Sequence, residues 1–239
     1  MTIQFNIRDV NLERLAAERL FWNNDLHAKI RAHAYEMMEE RHDPSFRTYI
    51  KDHCKFVGAQ TERMLLALGW SPEIARARGE DAELHDIGKM HPLQVGLWIF
   101  TEKKPDKSSR PAFESETRAE HTMRGPEVLD KIIDDLGQTY ATLMADDQAR
   151  LNIISYLQIN HHRPSSLTNG VLLDVVRTVD TVAGQLKTTE NNVIAAIAKL
   201  RENPAKFASH YNPDYLDLFE SLHKNTPAPG QVLDNHPKY

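Results

Sequence analysis

The chain has 239 residues, enough for one large domain, and 41% of them are hydrophobic, enough for a sizeable core. Its 29 basic and 34 acidic residues leave a net charge of −5, with no basic run long enough to track a phosphate backbone, so nucleic-acid binding is not expected. The lone cysteine, Cys54, excludes an internal disulfide and a thiolate zinc cluster. The charged opening MTIQFNIRDVNLERL lacks the apolar run of a signal peptide and no stretch approaches a membrane span, which predicts a cytoplasmic protein.

Hydrophobic periodicity is helical almost throughout, and no alternating β-branched run reads as a strand, so an all-α fold is expected. Residues 9–41 read as one or two amphipathic helices with Leu12, Leu15, Leu20, Phe21, Leu26 and Ile30 on the apolar side. After Pro44, a helix from Phe46 to Leu68 stops at Gly69. Ser71 and Pro72 supply a cap and a first-turn proline to the next helix, which is expected to run through ELHDIGK and end near Gly88. Residues 101–118 (TEKKPDKSSRPAFESETR) are polar, aperiodic and carry two prolines, the marks of a long surface loop able to act as a lid. Further helices are expected at about 119–136, 146–161, 171–186, 190–201 and 213–223, with an extended tail after Asn225. The organisation read from this is an N-terminal helical extension over 1–45, a main domain over 46–224 and a tail over 225–239. The extension offers a face for homodimerisation or for a regulatory contact.

Histidine is unusually frequent: there are twelve, several of them where apolar residues belong. His121 shares a helical stripe with Gly125, Val128, Ile132 and Leu136; His53 shares one with Ile50, Val57 and Met64; His161 follows Ile154 and Leu157. Asp180 sits among Leu172, Val176, Val179, Ala183 and Leu186, where an isolated carboxylate is expensive to bury. One buried histidine alone is most often a hydrogen-bonded core residue. Seven such groups from five helices, with His85-Asp86 and His161-His162 included, are explained together by convergence on metal. Mixed imidazole and carboxylate donors suit iron, manganese, zinc or nickel better than magnesium or calcium. Seven ligands exceed the needs of one ion with open positions, so two divalent ions sharing a bridging carboxylate are expected. Asp86 is the choice for the bridge, because it is flanked by His85 in a tight helix end. Five neutral imidazoles and two carboxylates leave such a pair of ions about two charges positive, which attracts an anionic substrate and activates a bridging water for phosphoester hydrolysis.

HDIGK at 85–89 is the signature of the HD superfamily, and the order His53, His85-Asp86, His121, His161-His162, Asp180 resembles the metal-ligand order of the HD-GYP phosphodiesterases. HCKFV at 53–57 is similar to that family's first-histidine helix, EHTMRGPEVL at 120–129 to its "H…G…L" helix, and HYNPDYLDLF at 210–219 to its closing "FDP…F" segment. The resemblance covers about residues 46–222 and implies an HD-domain helical bundle with iron or manganese as the metals. Three departures stand against it. Where the family carries HHExxDGxGYP, this chain reads HHRPSSLTNG, with Arg163 in the glutamate position; TVAGQLKTTENN after Asp180 lacks the arginine-containing segment of many members; and Tyr49 stands where some members add an acidic ligand. A third metal is therefore not expected, and activity on cyclic di-GMP does not carry over directly.

The resemblance gives Lys89 a phosphate-contacting role, and Arg163, next to the paired histidines, is a second candidate for clamping a phosphate. Arg124, Lys103 and Lys104 read as surface charge, and Cys54 as an inert core thiol facing away from the His53 stripe. His91 reads as structural, and His27, His33, His42, His210, His223 and His236 carry no functional reading. The expected activity is a metal-dependent phosphodiesterase or phosphohydrolase on a small nucleotide-like substrate, a cyclic dinucleotide among the options, with a metal-bridging hydroxide as nucleophile. The rivals are a diiron HD-type oxygenase, which needs only one histidine at the His161-His162 position, and a non-catalytic nucleotide-binding sensor, for which seven buried polar groups have no evident purpose.

Overall fold

The computed structural model describes residues 24–40, 44–92, 94, 110–162, 170–186, 188–207 and 210–224. The readings placed on residues 1–23, 101–109, Arg163 and the tail from Asn225 lie outside them. Helix α1 spans Asn24–Glu39, α2 Pro44–Ala67, α3 Pro72–Ala82, α4 Arg110–Asp135, α5 Ala145–Asn160, α6 Val171–Leu186, α7 Val193–Glu202 and α8 Pro213–Lys224. Short 3-10 turns lie at Ile87–Met90 and Tyr140–Thr142, and a single helical turn at Pro204–Phe207. The protein is an all-helical bundle, with no strand among the described residues. No helix there is long and apolar enough to cross a membrane.

Local chemistry sets most of these boundaries. Gly69 takes a left-handed φ of 85° just past α2, a backbone conformation that a side chain disfavours. Ser71 caps α3 by accepting a hydrogen bond from the Ile74 N–H at 3.3 Å, with Pro72 in the first turn. Two expectations need correction. First, α3 ends at Ala82 rather than running to Gly88. The chain tightens there into three-residue bonds, Leu84 N–H to Asp81 O and His85 N–H to Ala82 O, because side chains from α1 and α5 pin both flanks of Ala82. Second, residues 110–118, expected in the loop, open α4 instead; Pro111 falls in the first turn, where its missing N–H costs nothing.

Two apolar clusters form the interior. One joins Val57, Met64 and Leu65 of α2 to Ile153 and Leu157 of α5, the apolar face of α6, and Leu216 and Phe219 of α8. The other joins Ile30, Ala34 and Met38 of α1 to Ile50 and Cys54 of α2, Leu84, Ile87 and Met90, Val128 to Ile133 of α4, and Ile154 of α5. Helices α2 and α5 therefore belong to both clusters, and α1 shares its core with the main bundle. Helices α2 and α3 meet backbone to backbone: a Cβ on Gly58 would lie 2.8 Å from Gly79 O, and one on Gly79 2.8 Å from Gly58 O.

A buried ionic group ties α1, α3 and α5 together at the end of α3. The Asp81 carboxylate accepts a hydrogen bond from Arg150 Nε at 2.8 Å, and it lies 3.0 Å from Arg78 Nη1 and 2.9 Å from His27 Nε2. Burial alone would raise the Asp81 carboxyl, but Arg150, Arg78 and His27 outweigh it and hold the group well below its ordinary value. Its contribution to stability is therefore complete above about pH 4, where the unfolded carboxyl is ionised, and it shrinks as pH falls towards the folded value. Asp81→Asn should cost about 3 kcal/mol in urea unfolding at neutral pH, and the gap to wild type should narrow at pH 3. A gap that is equal at both values would mean that the carboxylate charge is not what stabilises this junction.

Candidate metal centre

Five elements send polar side chains into the seam between the two clusters. His53 comes from α2, His85 and Asp86 from the turn after α3, His121 from α4, His161 and His162 from the C-terminal end of α5, and Asp180 from α6. They fall into two groups of four, His53, His85, Asp86 and Asp180 in one and Asp86, His121, His161 and His162 in the other, with the ligating atoms of each within 4.8 Å of one another. Asp86 belongs to both. Its Oδ2 lies 3.2 Å from His53 Nε2 and 3.5 Å from His85 Nε2, whereas its Oδ1 lies 3.1 Å from His121 Nε2 and 3.5 Å from His161 Nε2. Asp180 Oδ1 adds to the first group at 3.1 Å from His53 Nε2, and its Oδ2 is 3.8 Å from His162 Nδ1. These seven residues can hold metal ions.

Ring orientation shows that the donors suit a cation. His85 Nδ1 donates to the Ala82 carbonyl at 2.8 Å, and His161 Nδ1 donates to the Gln158 carbonyl at 2.8 Å. A carbonyl only accepts, so Nδ1 of each ring carries a proton and Nε2 is the nitrogen left to ligate. Those nitrogens face carboxylate oxygens and further imidazoles: His85 Nε2 is 3.3 Å from His53 Nε2, and His161 Nε2 is 3.3 Å from His121 Nε2. Asp86 Oδ1 is buried with no well-formed hydrogen bond. Lone pairs converging on lone pairs repel, and a cation at each focus removes the repulsion. The α5 C-terminus, where His161 and His162 sit, adds the negative end of a helix dipole.

Ionisation agrees with ligand duty. Burial works against the charge on Asp86, but Lys89, His85, His121 and His161 around it hold its carboxyl well below the ordinary range. Asp180 is buried too and is also held well below the ordinary range, by His53, His85 and His162. Burial pushes His85 and His121 down, and burial together with His161 pushes His162 down further, so these rings are neutral donors at pH 7. His53 is raised despite burial, by its bonds to Asp180 and Asp86. The six other ligand side chains are 11% exposed or less, but that of His162 is 24% exposed, so the centre opens at the His162 end.

Lys89 points its ammonium at Asp86 Oδ2 with its side chain 19% exposed, at the rim of the first group. Arg163 lies outside the described residues. Arg124 pairs with Glu127 on the surface, His91 lies 3.3 Å from the same glutamate, and Cys54 is fully buried in the second cluster. Sequence reasoning gave no role to His27, Arg78, Asp81 or Arg150, which support the turn carrying His85 and Asp86. A signal existed: Ala75, Arg78 and Ala82 follow helical spacing, which puts a guanidinium on the buried face of α3. Comparison of the chain with protein-family models, with curated proteins and with solved structures found no match.

The turn is also wedged from the other side. A Cβ on Gly88 would stand 1.9 Å from His121 O and 2.8 Å from Gly125 N, both backbone atoms of α4. Gly88→Ala must therefore move the turn or the helix, and both carry ligands. We expect about 3 kcal/mol of destabilisation in urea unfolding, with Co2+ binding weakened at least tenfold in the fraction that folds. Wild-type values for both would show that the turn has slack against α4.

Proposed function

We propose that this chain is a metal-dependent phosphohydrolase of the HD type, similar to the HD-GYP phosphodiesterases, that cleaves a phosphate ester of a nucleotide-like substrate at a pair of divalent transition-metal ions, iron or manganese. The observation that carries the reading is the division of Asp86: one oxygen faces His121 and His161, the other His53 and His85. When bound, two such ions supply Lewis acidity and lower the pKa of a shared water towards neutrality.

The chain's own residues account for the rest. Asp86 sets the spacing between the two positions, while burial of His53, His85, His121 and His161 keeps bulk water from all but the His162 side. With two divalent ions held by the seven ligands, an excess of about two positive charges would draw an anionic substrate to that opening. Lys89 adds a third charge at the rim, and a contact of this type strengthens as charge develops on the transferring phosphoryl group. Arg163, next in the chain to His162, is the second candidate for a phosphate contact. Both members of the pair His161-His162 belong to one ligand group, which supports the hydrolase over the oxygenase reading.

Anaerobically purified, fully loaded protein should hold about two transition-metal ions per chain, Asp86→Asn should hold neither, and the manganese form should cleave an aryl phosphodiester without oxygen. One ion per chain would replace the two-metal reading with a mononuclear one, and activity confined to iron with consumption of oxygen would make the protein an oxygenase. Lys89→Met should retain folding and metal content while cleavage falls about a hundredfold, equivalent to roughly 2–4 kcal/mol of transition-state stabilisation. Cleavage at the wild-type rate would remove Lys89 from the catalytic set.

A further inference from the structure

Ala82 is the hinge between the helical bundle and the metal centre, because its carbonyl accepts the His85 Nδ1 proton at 2.8 Å. The peptide unit that carries this carbonyl continues into Glu83, so whatever holds Glu83 aims the His85 ring. Glu83 is held from two helices. Its Oε2 accepts from Arg31 Nη2 at 2.7 Å, Arg31 Nε at 3.1 Å and Tyr35 Oη at 2.7 Å, all from α1. Its stem lies against α2, so close that a Cβ on Gly58 would be 2.3 Å from Glu83 Cγ. Burial and the neighbouring Glu83 push the Tyr35 phenol up, so it stays a proton donor at any working pH. The two flanking positions are pinned as well, Asp81 by Arg150, Arg78 and His27, and the Leu84 carbonyl by Gln158 Nε2 at 3.1 Å.

On the metal-centre reading above, we infer that Glu83 is a positioning residue for the His53–His85–Asp86–Asp180 group and that α1, through Arg31 and Tyr35, is part of the metal-binding unit. Glu83 touches neither the ligand atoms nor a substrate position; it acts through the Ala82 carbonyl on the tautomer and direction of His85. An exposed ion pair would contribute little. This one differs: Glu83 is 14% exposed at the side chain and receives three donors on one oxygen. Partners that orient a ligating histidine through its second nitrogen typically change metal affinity by about 10–100-fold.

The test is Co2+ titration of the metal-free full-length chain, at a temperature where circular dichroism shows each variant folded, with the visible Co2+ bands reporting ligand geometry. Glu83→Ala should weaken Co2+ binding about tenfold and alter the bands. Glu83→Gln, which keeps an acceptor for Tyr35 and Arg31, should recover most of the loss. Arg201→Ala, which removes the surface pairs to Asp217 and Glu220 on α8, should leave affinity and bands unchanged even if its unfolding midpoint drops. If Glu83→Ala does not fold, Tyr35→Phe removes a single hydroxyl and should still weaken binding severalfold. Wild-type affinity and bands in Glu83→Ala, or in Tyr35→Phe should that be the folded variant, overturn the positioning role and leave the metal-centre reading intact. A wild-type chain that takes up no Co2+ overturns both.

Discussion

An ionised carboxylate with both oxygens buried, each turned towards a different pair of imidazoles, needs positive charge on two sides at once. Asp86 is in that position, and the rest of the bundle is arranged around it. Two imidazole pairs on opposite sides of one carboxylate cannot come from a single helix, because i and i+4 neighbours share one face. The ligands therefore arrive from α2, α4, α5 and α6, and Asp86 itself is carried on the turn that reaches between them. The end of α3 at Ala82 is a consequence, since a continuous helix would turn His85 and Asp86 about 100° apart around its axis rather than into one seam.

The same constraint explains the divided interior. A single apolar core would have to bury the seven polar groups within it. Two clusters meeting along α2 and α5 leave a seam, and the polar side chains occupy it while apolar neighbours on the same helices face left and right. Along α2, Ile50 and Cys54 belong to one cluster and Val57 and Met64 to the other, with His53 between them. On α5, Ile154 and Leu157 divide in the same way just before His161.

Helix positions were legible because the 3.6-residue period, Gly69, and the Ser71-Pro72 pair are local signals. The seven ligand candidates were legible for a related reason: a histidine or aspartate on an apolar stripe contradicts its surroundings, and the contradiction can be read one helix at a time. What was not legible depends on contacts between helices. The stop of α3 at Ala82 is set by Arg150, 69 residues beyond its partner Asp81, and by Tyr35, 48 residues before Glu83. Residues 110–118 look like a loop by composition, yet continue a helix whose period only becomes apolar further along. His27 carries no signal within its own helix; its role appears only when Asp81 is placed 2.9 Å away.

Asp81 and Asp86 stand five residues apart, both fully buried, and the difference between them separates scaffold from site. Asp81 faces two guanidiniums, Arg78 and Arg150, which pair with it inside the chain and need nothing from solvent. Asp86 faces one ammonium, Lys89, and otherwise imidazoles, of which burial pushes His85 and His121 down while the carboxylates raise His53. The first cluster is electrostatically closed by the chain itself. In the second, imidazole nitrogens crowd onto carboxylates and onto one another, an arrangement whose energy falls when a cation enters. A protein needing only a stable junction would place guanidiniums at both aspartates. Imidazoles around Asp86, with guanidiniums at Asp81 one helical turn before His85, amount to a rigid closed cluster holding an open one in register.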